Sequence, residues 1–417
     1  MGKQIGYMQL LRQNKEFRRL FIANEISFIG DWFTVIALFI LAGKASDDSP
    51  LAIAGVLASR SFSLALFTPF TGMLADRFSR RGLMVLANVL SFGILIVVLL
   101  TGVLDGLVSV YALAVVIVAA RAVHDPAEYA YLPNICNENE LLTANALASG
   151  GWSVALGVGA AIGGLTIAEF GITTALWIDT TTFLVAALML SMLPDGGPDA
   201  SERGATTPRV VFDEMVGGWK YILSSPPLRR VVFAKGLWAS GGGAQILLLI
   251  LIGAEAGFGE IAAGVGVLFM VRGFGSGFGP IAGRPLMANM RLRPYLLGLA
   301  VGTCGAFYVG VSLVEDWGGL MLVLIFLAHA ASGLNWVLST TLLQERSADE
   351  WRGRVAGTDH FGITLMMGIS AVAGGYILTE NILDLRELIA VTGMVQITLC
   401  ILWIALVSGP EKRMLQA

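Results

Sequence analysis

Charge is scarce in this 417-residue sequence: Asp, Glu, Lys and Arg together make up 14% of it, where a soluble domain carries about 25%. With a mean hydropathy of +0.75, most of the surface must meet lipid rather than water. The net charge of −3 offers no basic field for nucleic acid. Cysteine is rare as well: Cys136, Cys304 and Cys400 are scattered and odd in number. That excludes a disulfide framework or a metal cluster and leaves ordinary buried thiols. No nucleophile, metal-ligand set or phosphate-binding loop stands out, so neither an enzyme nor a resident cofactor is expected. A removable signal peptide is not expected either, because the apolar run after Lys3, Arg12, Lys15, Arg18 and Arg19 contains Glu25 and Asp31 and lacks a small-residue cleavage site.

What the sequence has in plenty is apolar length. Runs near 18–43, 51–75, 83–104, 107–132, 141–169 and 172–194 are followed by six more near 228–256, 260–286, 294–314, 317–345, 352–379 and 385–408. Each is long enough for a helix to cross the hydrocarbon core, which takes about 20 residues. They predict an all-α membrane protein with twelve transmembrane helices. An even number of spans puts both termini on one side, and Lys and Arg choose the side. The N-terminal arm, Arg77 to Arg81, the 195–230 segment, Arg284 to Arg293, Arg346 to Arg354 and Lys412-Arg413 share that side, while the opposite turns hold only Lys44 and Arg386 among several acids. A multi-pass cell-membrane protein with cytoplasmic termini follows.

The two sets of six read as copies. Arg18-Arg19 with Ala23 recurs as Arg229-Arg230 with Ala234, and Gly163-Gly164 recurs as Gly374-Gly375. Both matches share an offset of 211 (229 − 18 and 374 − 163). The expected organisation is two pseudo-symmetric six-helix bundles, 1–194 and 228–417, joined by a cytoplasmic linker over 195–227. In the linker Val210, Val211, Met215, Trp219 and Ile222 recur at helical spacing among Arg209, Asp213, Glu214 and Lys220. That pattern predicts an amphipathic helix lying on the inner membrane surface as a tether between the halves.

Between the second and third runs, Gly72, Asp76, Arg77, Arg80, Arg81 and Gly82 form a dense charged turn. It resembles the signature loop of the major facilitator superfamily. Arg121 followed twelve residues later by Pro133 resembles a second superfamily motif on the fourth helix, with Asp125 standing where the motif has glycine. Two further segments are similar to the group containing macrolide and tetracycline efflux proteins, the enterobactin exporter and the lysophospholipid transporter. One is Asp125-Pro126-Ala127 with Leu132-Pro133 and Thr143-Ala144-Asn145-Ala146-Leu147; the other is Leu343-Gln344-Glu345-Arg346 with Arg352-Gly353-Arg354-Val355. Gly157, Gly159 and Gly163-Gly164 partly match an antiporter pattern on the fifth helix, with Ala160 in the place of its proline. The resemblance implies alternating access around a site between the halves. It also implies a cytoplasmic gate of Gly72, Asp76, Arg77, Arg80, Arg81, Arg352 and Arg354, in which Asp76 latches the halves, and proton coupling through Arg121.

Ionisable groups inside a span are costly, so each is either paired or part of a pathway. At 1.5 Å per residue Asp31 lies about 18 Å beyond Arg19, near the midplane, and Glu25 only about 9 Å. Asp31 is the candidate proton carrier, with Arg121 and Arg60 as tuning cations and Glu25 beside them; the alternative is a permanent ion pair of Asp31 with Arg60 or Arg121. Phe28, Trp32, Asp125, Gln245, Arg272, His329 and Trp336 are the candidate cavity residues. Lys235, Asp359 and His360, nearer the cytoplasmic end, are expected to belong to the inner gate or to reach toward water, and Asp179 to be hydrated near the outer end. The expectation is a monomeric, proton-driven exporter of an amphipathic or hydrophobic small molecule, of the multidrug-resistance kind. A lipid or lysophospholipid flippase and a non-transporting sensor of the same fold are the alternatives.

Overall fold

The computed structural model describes residues 5–195, 208–348 and 351–416. The chain is helical throughout them. A short α1 (Tyr7–Gln13) precedes α2 (Lys15–Lys44), α3 (Pro50–Arg77), α4 (Arg80–Thr101), α5 (Leu107–Ile135) and α6 (Glu138–Ser191). Then α7 (Pro208–Ser224) leads to α8 (Pro226–Glu255), α9 (Ile261–Ala282), a short α10 (Arg284–Ala288), α11 (Arg293–Ser312), α12 (Gly319–Arg346), α13 (Arg352–Thr379) and α14 (Leu385–Leu402). A π turn, Trp403–Val407, joins α14 to α15 (Ser408–Gln416).

The helix starts are written in the sequence. Pro50, Pro226 and Pro294 occupy first-turn positions, where a missing N–H costs nothing. Asn14 caps α2, and Asn137 with Glu140 and Asp384 with Glu387 form capping boxes for α6 and α14. α5 continues through both Pro126 and Pro133 as one helix.

Among the described residues, eleven helices are long and apolar enough to cross a membrane. One of these, α6, is two passes. Its 54 residues are broken only at Gly171, at φ 82° and ψ 167°, a region open almost only to glycine. Ala144, near its start, and Leu190, near its end, meet in the same core, so the chain turns back on that one residue and needs no polar loop. The two expected spans, 141–169 and 172–194, thus join without a linker.

Buried apolar residues form three cores. The largest lies at the end remote from the termini, the far end, and draws on both sets of helices: Phe33, Ile36 and Phe39 pack there with Leu247, Leu248 and Phe269. At the terminal end the core is split. One part holds Phe17, Leu20, Met84, Tyr131 and Leu190, all from α2 to α6. The other holds Ile222, Leu228, Val231, Leu342 and Trp403, all from α7 onward. The two sets therefore share one core at the far end and part into separate cores at the terminal end.

Small residues make the seams between them. A Cβ on Gly273 of α9 would lie 2.6 Å from Gly157 N and 2.8 Å from its Cα, and one on Gly164 of α6 would lie 2.9 Å from Gly266 Cα. Backbones this close tolerate only glycine. A second seam joins α3 to α13, where Gly368 faces the Phe62 ring and Gly375 faces Leu51 and Ala54. The Gly157–Gly273 contact maps onto Gly368–Phe62 by the sequence offset of 211 (368 − 157 and 273 − 62).

One feature at the terminal end differs from expectation. Helix α7 does not lie free on a membrane surface: Ile222 is fully buried, Gly218 abuts the Arg354 backbone, Tyr221 stacks on Trp351 at 4.7 Å and Glu214 pairs with Arg354 at 3.2 Å. Trp219, Tyr221 and Ile222 pack against α8 and α13, while Val210 and Phe212 stay exposed. In α15, Glu411 is buried between Arg230 and Arg346 at 2.5 Å from each.

Candidate functional site

Midway along α2, Asp31 accepts an ion pair from Arg121 Nε of α5 at 3.2 Å. The guanidinium also donates to Ser27 Oγ at 3.0 Å and lies 4.6 Å over the Phe28 ring. Ser27 in turn donates to Asn88 Oδ1, whose amide donates to the Met84 carbonyl. The cation is thus neutralised, hydrogen-bonded and stacked, which is what burial of a charge requires. Arg60 of α3 lies within electrostatic reach of Asp31, Arg121 and Asp179 without direct contact.

Asp179 is not hydrated, contrary to expectation. It is fully buried, accepting hydrogen bonds from Thr34 and from Thr182, and a Cβ on Gly30 would meet its Oδ1 at 2.7 Å. Depth counted along one helix could not reveal that α2 folds over this carboxylate.

From Arg121 toward the terminal end, α5 presents Asp125 and Glu128 on the same face, since i+4 and i+7 positions align. Asp125 is 59% exposed, and Tyr129, one turn further along the same row, is 75% exposed. His124 is buried, 3.6 Å from Asp125 and 3.9 Å from Glu128. Glu25 of α2 and Glu128 are within electrostatic reach of each other, and Glu25 closes over Gly151.

Facing these from the second set, Lys235 of α8 pairs with Asp359 of α13 at 2.6 Å, with Thr340 at 3.3 Å and the Trp336 ring 4.6 Å away. Both ions are buried and paired with each other, with Asp359 Oδ1 left unpartnered, so of the two expectations they do not follow the reach toward water. Trp238 donates to Ser332 and lies 6.0 Å from Trp336. His360 is within electrostatic reach of Asp125 across the parting.

The remaining candidates lie elsewhere. Gln245 is buried within the second set, donating to Gln396 Oε1 at 3.0 Å. His329 is buried against Tyr308, 3.0 Å from its hydroxyl. These two are packing residues with satisfied or shared hydrogen bonds and do not line the parting. Trp32 packs on Phe269 at 5.3 Å as part of the far-end seal, and Arg272, one turn along, lies 5.6 Å from the same ring with its Nε unpartnered.

Of the gate residues, the side chains of Gly72, Asp76 and Arg77 fall outside the described residues. Arg80 donates to Ala130 O and Asn134 Oδ1, and Arg81 to Leu193 O. Both therefore satisfy the carbonyl ends of helices in their own half and do not cross to the other. Arg354 binds Glu214 of α7, and Arg352 donates to Gln344 O. Residues that the sequence reading passed over are Ser27, Asn88, Asn24 and Glu128. The i, i+3, i+4, i+7 rows through Asp31 and Arg121 hold most of the signal that could have found them.

The sequence matches the Major Facilitator Superfamily over residues 20–371. It is 27% identical over 392 residues to the uncharacterized MFS-type transporter YfiS of Bacillus subtilis, covering 89% of this chain and 88% of the relative. A putative bacilysin exporter, BacE, of Bacillus subtilis is 24% identical, covering 88% and 89%. The lysophospholipid transporter LplT of Klebsiella pneumoniae is 26% identical, covering 74% and 76%. The crystal structure of the peptide transporter POT in complex with sulfate superposes with a TM-score of 0.75 at 11% identity, covering 99% of both chains. A likeness at that identity shows the fold.

Proposed function

We infer the function from one premise: this chain belongs to the major facilitator superfamily, and is accordingly a membrane transporter of small molecules and not an enzyme. Our reading beyond that is of a secondary active exporter that exchanges an amphipathic or hydrophobic organic molecule for protons by alternating access. The observation that supports it is the single core joining both sets at the far end against two separate cores at the terminal end, with the Asp31–Arg121 pair at the depth where they part. We place the termini in the cytoplasm from the basic bias, so this state opens inward. The two halves, 1–194 and 228–417, are the rocking bodies, and 195–227 connects them. The protein works as a monomer in the cell membrane, and Asp76 remains the proposed latch.

A proton on Asp31 cancels the charge that holds Arg121, while Ser27 and Phe28 keep the guanidinium in place. Separating the pair then leaves a guanidinium held only by Ser27 and Phe28, the cost of an uncompensated buried cation, and that cost biases which end is open. The test is cargo flux in proteoliposomes with and without an imposed pH gradient, in the wild type and in Asp31→Asn. Gradient-driven flux should vanish in the variant; unaltered flux would remove Asp31 from the mechanism.

The likeness of the 125–147 and 343–355 segments to macrolide and tetracycline efflux proteins favours export of drugs. Lipid flipping is the second reading, favoured by relatives named as lysophospholipid transporters. Transfer of a fluorescent lysophospholipid between leaflets by the same proteoliposomes would establish it. A non-transporting sensor would have no need of the ion pair at the parting.

A further inference from the structure

We propose that the parting binds the protonated amine of a cationic amphipath, held by Asp125, Glu128 and Glu25; this names the cargo class of the transport site and rests on that reading. Among the described residues none of the three carboxylates has a Lys or Arg ion-pair partner. Arg121 is already committed to Asp31, and Lys235 to Asp359. The first half therefore presents carboxylates without a Lys or Arg partner to the opening, and the second presents a wall whose ions cancel.

Two buried neighbours point to a ligand. His124 is 1% exposed, yet neither ring nitrogen has a hydrogen-bond partner, and its Nδ1 faces both Asp125 and Glu128. Asn24 is likewise buried, with its amide toward Glu128 and its Oδ1 unpartnered. Buried polar atoms of this kind are rare in folded proteins and call for a partner. A primary ammonium supplies three donors, which the carboxylates of Asp125, Glu128 and Glu25 can accept. The apolar body of the molecule would lie against Trp336, 39% exposed, and its neighbour Trp238. Aromatic faces accept both hydrocarbon and positive charge.

The probe is monodansylcadaverine, a primary amine on a dansyl ring, titrated into the full chain in lipid nanodiscs and read by energy transfer from tryptophan. The N-acetylated probe removes the charge, and a dansyl amino acid of equal length reverses it. Each should bind at least about tenfold more weakly, the scale of one charge-assisted contact. Asp125→Asn with Glu128→Gln should weaken the amine by a similar factor, while Asp125→Glu, which keeps the charge, should bind it more tightly than the double variant does. Equal binding of amine and acetylated probe, or amine binding unaffected by the double variant, overturns the proposal. If the double variant keeps amine binding but loses proton uptake, the acids are a proton route only and the proposal fails. The titration needs no gradient, so charge-selective binding without gradient-driven flux would sink the proton-driven reading and leave the amine site standing.

Discussion

At the far end, Trp32, Phe39 and Phe269 bring the two sets of helices together ring against ring, whereas at the terminal end Arg230, Arg346 and Glu411 bind parts of one set to each other. The two ends use different physics for different tasks. Apolar contacts are non-directional and individually weak, so a ring-packed seam can part and reseal in another register. A buried ion triad is strongly coupled, and losing one member leaves bare charges inside. The joint between bodies is made of the first kind, and the interior of a body of the second.

The sharpest way to break that contrast is to make the far end permanent. Ser49 and Thr379 bring their hydroxyl oxygens to 3.5 Å across the seam, close enough for a disulfide when both are replaced. Oxidised Ser49→Cys/Thr379→Cys should lose transport altogether and regain it on reduction. Flux through the cross-linked protein would mean that the far end need not open. Next in size is Glu411→Ala, which strands Arg230 and Arg346 and should cost about 3–5 kcal/mol, read as a lowered melting temperature in detergent. An unshifted melt would show that the triad does not hold α15 in place. Smallest is Thr379→Val, which deletes the hydrogen bond from Leu51 N and should bias the balance by about 1 kcal/mol. Labelling of a Tyr129→Cys reporter by an impermeant maleimide should slow by roughly fivefold. An unchanged rate would separate that bond from the opening.

The spans, the duplication and the central ion pair were legible because each rests on a strong local rule: apolar length, repeated motif, and the cost of charge in lipid. Asp31 and Arg121 were found by counting depth, and they do meet. Counting fails where the answer depends on what lies across the helix. Asp179 looks accessible by depth yet is closed over by Thr34, and Gln245 looks like a cavity residue until Gln396, 151 positions away, takes its amide. The amphipathic pattern of α7 was equally plain, but a stripe of apolar residues does not say whether lipid or α13 will cover it. The side chain of Asp76, on which the latch depends, lies outside the described residues.

The turn at Gly171 has a mechanical consequence. A chain that reverses on one residue keeps no slack between the passes on either side, 138–170 and 172–191. Neither can slide along its axis without dragging the other, so a piston stroke is denied to this pair. What is left to them is to lean together, as a single stiff fork.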